Sequence, residues 1–243
     1  RIDDFALASR LSFFLWSSIP DDRLLTLAER GQLSNPQTLE KETRRMLADP
    51  RSTEALVNDF AAQWLNLRLV EDVVVDPDKY PNYDLSLLQG FEQETKLFVG
   101  STLREDRSVS DLLNADYTFV NERVARHYGF PGVYGTRFRK VTVPNHDQRG
   151  GLLAQGALLV TTSYPDRTSP VLRGKWLLNN IFGLPIPPPP PGVNATLETK
   201  PGVLPTTMRE RLAKHRTETT CNSCHSVIDP LGFSLENFDT IGS

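Results

Sequence analysis

Five consecutive prolines, Pro187 to Pro191, with Pro185 just before them, fix the backbone more firmly than any other stretch of this 243-residue chain. Each ring locks φ near the polyproline value and removes an amide donor, so residues 185–191 can continue neither a helix nor a central strand. The segment reads as an extended strut, and it is the clearest boundary in the sequence. Upstream lies a long stretch of helical pattern. Downstream lies a loop through Gly202, then a short segment that carries all the chain's cysteine.

Before the strut, apolar residues recur at the helical period, with capping residues at the starts and glycine at the stops. Phe5, Leu7, Leu11, Phe14 and Leu15 mark a first helix ending near Ser17. Pro20 and the two aspartates after it open a second, which carries Leu24, Leu25 and Leu27 to Gly31. Asn35-Pro36 is a cap followed by proline in the first turn, predicting a third helix that halts before Pro50. The spacing of Leu56, Phe60, Trp64 and Leu67 predicts a fourth over Ser52 to Leu67, and the four together predict a helical bundle. A long helix follows from about Asp84 to Arg104 with Leu88, Phe91, Thr95 and Phe98 inward; Ser108 and Asp111 cap a short turn, and Asn121 to Tyr128 closes on Gly129. Only residues 138–143 alternate as a strand would, so any sheet is small. Two more helices are expected near Arg149 to Thr161 and Ser169 to Phe182, and a last one over Met208 to Arg216. The expected fold class is mainly α with little β: a helical bundle in residues 1–130, then a second helical region in 131–243.

Composition excludes more than it identifies. The 27 basic and 30 acidic side chains are evenly scattered, which leaves no basic stripe for nucleic acid. The longest apolar runs, Leu11 to Trp16 and Gly156 to Val160, fall far short of the ~20 residues that span a bilayer. No phosphate-binding glycine loop, HExxH motif or Ser-His-Asp arrangement occurs, and Asp21-Asp22 reads as first-turn helix charge. There is no initiator Met and no signal-like start, so the chain is expected to be part of a longer or processed protein.

The chemistry is concentrated in Cys221-Asn222-Ser223-Cys224-His225, the pattern C-x-x-C-H in residues 221–225. Two thiols at this spacing can form thioethers to the two vinyl groups of one haem, and the adjacent imidazole then meets the iron from the proximal side. A thioredoxin-like pair would need a buried strand before it, whereas Arg209 to Thr220 is polar and helical. A structural zinc site would need four ligands from two cysteines and His127, His146, His215 and His225; Cys221, Cys224, His215 and one distant histidine could supply it. Covalent haem c with His225 as proximal ligand is the favoured reading, with zinc, a disulfide or an idle thiol pair as the alternatives.

Only eighteen residues follow His225, and none is Met, His or Lys, so a second axial ligand must come from elsewhere. His215, Met208 and His146 are candidates, as is an open or water-filled position. Met208, Leu212 and His215 share one helix face, but Met208 and His215 stand about 10 Å apart along it, so at most one reaches the iron. Closed coordination favours electron transfer and an open position favours small-molecule chemistry. Haem propionates are commonly met by arginine, and Arg173 and Arg216, with Arg167 and Lys175, are the candidates. Ile228, Leu231 and Phe233 are expected to pack a haem edge and turn the chain around Asp229-Pro230 and Gly232. His127, beside Tyr128, reads as a structural residue.

Several longer strings extend this reading. ASRLSFFLWSSIPDD up to Asp22, RRMLADPR at Arg44 to Arg51 and DFAAQWLNL at Asp59 to Leu67 resemble the DUF1592 domain of planctomycete-type cytochrome proteins. RGGLLAQGALL at Arg149 to Leu159, YPDRTSPVLRGKW at Tyr164 to Trp176, HRTETTCNSCH at His215 to His225 and DPLGFSLENFDTIG at Asp229 to Gly242 resemble the adjoining DUF1588 domain. The resemblance implies one haem at Cys221, Cys224 and His225, draws His215 into the family's pattern, and implies large exported bacterial proteins with further domains on either side. It carries no reaction. The expected function is therefore an exported, periplasmic or extracellular electron-transfer module that meets a redox partner or neighbouring haem domains. A haem enzyme, peroxidase-like or oxidative, and a structural subunit of a larger complex are the alternatives.

Overall fold

In the computed structural model, residues 2–144, 148–188 and 207–243 are described. His146 and Pro189 to Pro191 lie outside them. The described chain is mainly helical, with one two-stranded sheet. It divides into two compact units, one of residues 1–71 and 86–152, the other of residues 72–85 and 153–243. Residues 131–152 pack with the first unit and 72–85 with the second. No described helix is long and apolar enough to cross a membrane.

The first unit opens with α1 (Asp4–Trp16), α2 (Asp22–Glu29) and α3 (Pro36–Ala48), capped by the side chains of Asp3, Asp21 and Asn35. Each such cap satisfies a backbone donor that the helix itself cannot, worth about 1 kcal/mol. Their shared core is Ala8, Trp16, Leu24, Ala28, Leu33 and Met46, flanked by Leu7, Leu11 and Leu15. Phe5 and Phe14, expected inside, are exposed, because Ala8, Ser12 and Trp16 form the buried face of α1. The Trp16 indole donates to the Met46 carbonyl at 3.0 Å, and the Arg51 guanidinium stacks on its ring at 3.6 Å.

The fourth helix departs from its expected register. α4 (Pro50–Ala55) passes into a π turn, Leu56–Ala61, before α5 (Ala62–Trp64). The wider turn shifts the helix phase, so Val57, Ala61, Ala62 and Leu65 are buried while Phe60 is exposed. α6 (Leu85–Arg104) buries Leu88, Phe91, Thr95 and Phe98 as its periodicity predicts. After α7 (Asp111–Asn114), strand β1 (Tyr117–Val120) leads into α8 (Glu122–Tyr128), which Asn121 caps and Gly129 ends at φ 73°. Strand β2 (Arg139–Thr142) pairs antiparallel with β1, Tyr117 opposite Thr142 and Val120 opposite Arg139.

Glu94 of α6 is buried where these elements meet. Thr118 donates to one carboxyl oxygen at 2.5 Å and Tyr128 to the other at 2.6 Å. Burial pushes its pKa up to about 7, against the two hydroxyl donors and the Arg149 charge, which act in the opposite direction. His127 packs its ring edge on Phe91, 5.3 Å between centroids, and beside Tyr128.

The second unit holds α9 (Gly156–Thr161), α10 (Pro170–Trp176), α11 (Met208–His215) and α12 (Thr219–Phe233). Only the last turn and a half of the helix expected from Arg149 is α-helical, and α10 ends in a π turn, Leu177–Ile181. α12 runs straight through Asp229-Pro230 and Gly232, where a turn was expected. Proline costs one intrahelical hydrogen bond there, but tertiary packing holds the helix together. α10 and α12 cross at backbone contact: a Cβ on Gly232 would lie 1.7 Å from the Pro170 carbonyl oxygen, and one on Gly174 would lie 2.0 Å from that of Ile228. Only glycine allows two helices to approach so closely.

Candidate functional site

The C-x-x-C-H motif occupies the first two turns of α12. Thr219 to Phe233 form one helix, so Cys221 and His225 are separated by one turn and Cys224 stands beside them on the same side. Both cysteines are free thiols, neither fully buried nor fully exposed. The N-terminal half of α12 is solvated while Ile228, Asp229 and Gly232 are buried in its C-terminal half. The helix is thus anchored at one end and presents its thiols at the other.

The imidazole of His225 is held from behind. Its Nδ1 donates to Oδ1 of Asp229 at 2.8 Å, one turn further along α12. Asp229 is wholly buried, and its second oxygen, Oδ2, accepts no hydrogen bond among the described residues; Arg216 Nε stands 3.8 Å away. A buried carboxylate on the far nitrogen of a histidine fixes the tautomer and turns the other nitrogen, Nε2, outward as the electron-pair donor. Nε2 makes no hydrogen bond among the described residues.

α11 lies back along α12 as the other arm of a helical hairpin. Thr207 and Glu210 close a reciprocal capping box at its start, and Leu212 is buried at its middle. Arg209 sets its guanidinium over the Phe233 ring at 4.2 Å, and His215 meets His225 edge to face, 4.8 Å between ring centres. Burial, then the neighbouring His225, hold the His215 imidazole below its ordinary pKa, with Asp229 acting the other way. The structure therefore brings His215, Arg216 and Asp229 to His225. It leaves Met208 at the opposite end of the hairpin, next to Arg209. At 4.8 Å between ring centres, His215 and His225 are in direct contact.

Arg173 was expected to meet a propionate, and the structure places it in a different role. It is fully buried, and its terminal nitrogens donate to the carbonyls of Leu235 at 2.6 Å, Phe238 at 2.9 Å and Asp239 at 2.8 Å, and to Glu236 Oε1 at 2.9 Å. One planar guanidinium thus pins the segment after α12 onto α10. Tyr80 adds a hydrogen bond to Thr240 at 2.9 Å. Arg167 is paired with Asp166 and stacked on Tyr164. Ile228 packs against α10 at Gly174.

The donor set suits a covalently held haem: two free thiols and an oriented imidazole on one side of one helix. Among the described residues, no three His, Cys, Asp or Glu side chains are arranged to hold a bare metal ion, so the zinc alternative finds no ligand set there. The notable residue that the sequence reading missed is Asp229. Its signal was present as His-x-x-x-Asp, the i, i+4 spacing of one helical turn.

No curated protein and no solved structure matches the chain. Residues 2–130 match the family PSD4, described as protein of unknown function (DUF1592), and residues 149–243 match PSCyt3, described as protein of unknown function (DUF1588). The motif-bearing hairpin falls within the second match. The chain belongs to this DUF1592 and DUF1588 family of planctomycete-type cytochrome proteins.

Proposed function

We propose that this chain is an exported c-type haem module that moves electrons between a donor and an acceptor outside the cytoplasm, as one part of a larger protein or assembly. The observation that carries the proposal is the placement of Cys221, Cys224 and His225 on one side of α12, with His225 Nδ1 tied to buried Asp229. Cys221 and Cys224 would hold the porphyrin by addition of each S–H across a vinyl group. The sulfur bonds one vinyl carbon and the proton goes to the other, with no net oxidation. His225 Nε2 would hold the iron. Bound haem supplies a one-electron ferric/ferrous couple.

The protein's own contribution is orientation and burial. The glycine contact between α10 and α12 fixes the helix that carries the thiols. Asp229 fixes the imidazole, and the Arg173 bonds fix the segment that follows. His215, in contact with His225, would be the candidate second ligand, and the burial that favours its neutral form also favours it as a ligand.

A visible spectrum of the exported, haem-matured chain, oxidised and reduced and with added CO, tests the function. A low-spin spectrum unmoved by CO is the expected result for an electron carrier. Rapid CO binding would move the assignment to a haem enzyme with an open position. A chain without haem absorption would contradict both.

A further inference from the structure

Asp229 is a costly residue to keep. A carboxylate with no exposed surface, one of its oxygens accepting no hydrogen bond among the described residues, destabilises a fold unless something nearby needs the charge. The closest contacts of the α10–α12 crossing are made by Gly174 with Ile228 and Gly232 with Pro170. Among the described residues, the His225 imidazole stands 2.8 Å from Oδ1 and the Arg216 guanidinium 3.8 Å from Oδ2, and His215, against His225, also feels the carboxylate's charge. Arg216 comes from the end of α11, outside the α12 helix, and is itself about a quarter exposed.

We infer that Asp229 and Arg216 form an opposed pair that sets the electron-donating strength of His225, and with it the reduction potential of the group His225 binds. The inference rests on the haem reading above and adds two positioning residues to it. A carboxylate accepting the Nδ1 proton lends the ring anionic character, makes Nε2 a stronger donor and stabilises the ferric state. The guanidinium withdraws part of that effect by holding the carboxylate's charge to itself, and its own positive charge favours the ferrous state. The two residues therefore act with opposite signs on one atom. A purely structural role would give both substitutions the same sign.

The test compares the wild-type chain, exported and matured with haem, with Asp229→Asn, Asp229→Glu and Arg216→Gln. Haem content, thermal midpoint and reduction midpoint are measured on each. Asp229→Asn is expected to shift the ferric/ferrous equilibrium about tenfold toward the reduced form, about 59 mV for one electron. Arg216→Gln is expected to shift it about threefold the other way, and Asp229→Glu to recover part of the Asn shift. If Asp229→Asn fails to take up haem, the Arg216→Gln shift toward the oxidised form still decides, because that variant keeps the carboxylate. Haem-loaded variants whose potentials stay within twofold of wild type, or move in the same direction, overturn this inference and leave the haem reading standing. A wild-type chain with no covalent haem overturns both.

Discussion

Among the described residues Glu42, Glu94 and Asp229 are buried carboxyl groups; Glu42 is neutralised by Arg23 and Arg45, whereas Glu94 and Asp229, one in each compact unit, are treated in opposite ways. Glu94 is enclosed by neutral donors, Thr118 at 2.5 Å and Tyr128 at 2.6 Å, and its burial pushes its pKa up to about 7. Asp229 is placed between an imidazole and a guanidinium, with one oxygen left without a hydrogen bond among the described residues. Glu94 links α6, β1 and α8 into one core, with the Arg149 charge the further group that acts on it. Asp229 passes its influence through His225 to a nitrogen that has no partner among the described residues. Burial alone therefore does not mark a functional acid; what matters is whether its partner has a second face.

The largest effect expected comes from the seat of the helix that carries Asp229. Gly232→Ala forces a methyl group to within 1.7 Å of the Pro170 carbonyl unless the helices part, and should cost about 3 kcal/mol or more in chemical denaturation. If the comparison holds, this variant loses haem uptake while the Glu94 region keeps its pH response.

That response is nearly as large. The unfolded glutamate titrates near 4.5 and the folded one at about 7, so between these values the folded chain keeps a proton that the unfolded chain has released. Stability is then full below about pH 4.5, falls as pH rises to about 7 and levels off beyond, a loss of about 3 kcal/mol. Glu94→Gln should flatten this slope in denaturation curves taken from pH 4 to 8. An unchanged slope would mean that another group carries it.

A smaller effect separates the two donors of Glu94. Tyr128→Phe leaves one carboxyl oxygen without its hydroxyl and should cost about 1–2 kcal/mol, more at pH 8 than at pH 5, because the ionised form needs the donor most. Smallest is Asn121→Ala, which removes the side-chain cap on the Val124 amide and should cost about 1 kcal/mol with no pH dependence. A pH-dependent loss at Asn121 would blur the distinction between carboxyl and neutral sites.

What was legible in the sequence follows the range of the interaction. Caps and stops such as Asn35-Pro36, Asn121, Ser169 and Gly129 act over two or three residues, and they mark the helix ends where the structure has them. The π turn at Leu56–Ala61 was hidden because it leaves composition unchanged and moves only the phase, exposing Phe60 in place of Val57. β1 was hidden by its length: Tyr117 to Val120 is too short to show alternation, and its partner lies beyond α8. Arg173 was read as a propionate partner because its acceptors, Leu235 to Asp239, lie more than sixty residues away. At the candidate site, the motif itself identified Cys221, Cys224 and His225. Asp229 was obscured by the proline after it, which suggested a turn where the α10 crossing keeps a helix. The contact of His215 with His225 depends on the hairpin of α11 and α12, a tertiary event that spacing only hinted at.

The most direct measurement is the intact mass of the chain after export from a host that matures c-type haem, set beside Cys221→Ala and Cys224→Ala. Wild type should carry the added mass of one haem that survives denaturation and acid extraction, the single variants should hold it by one bond or not at all, and the double variant should lose it entirely. A wild-type mass equal to that of the bare polypeptide, or two hydrogens lighter from a disulfide, would contradict the assignment of these thiols to haem.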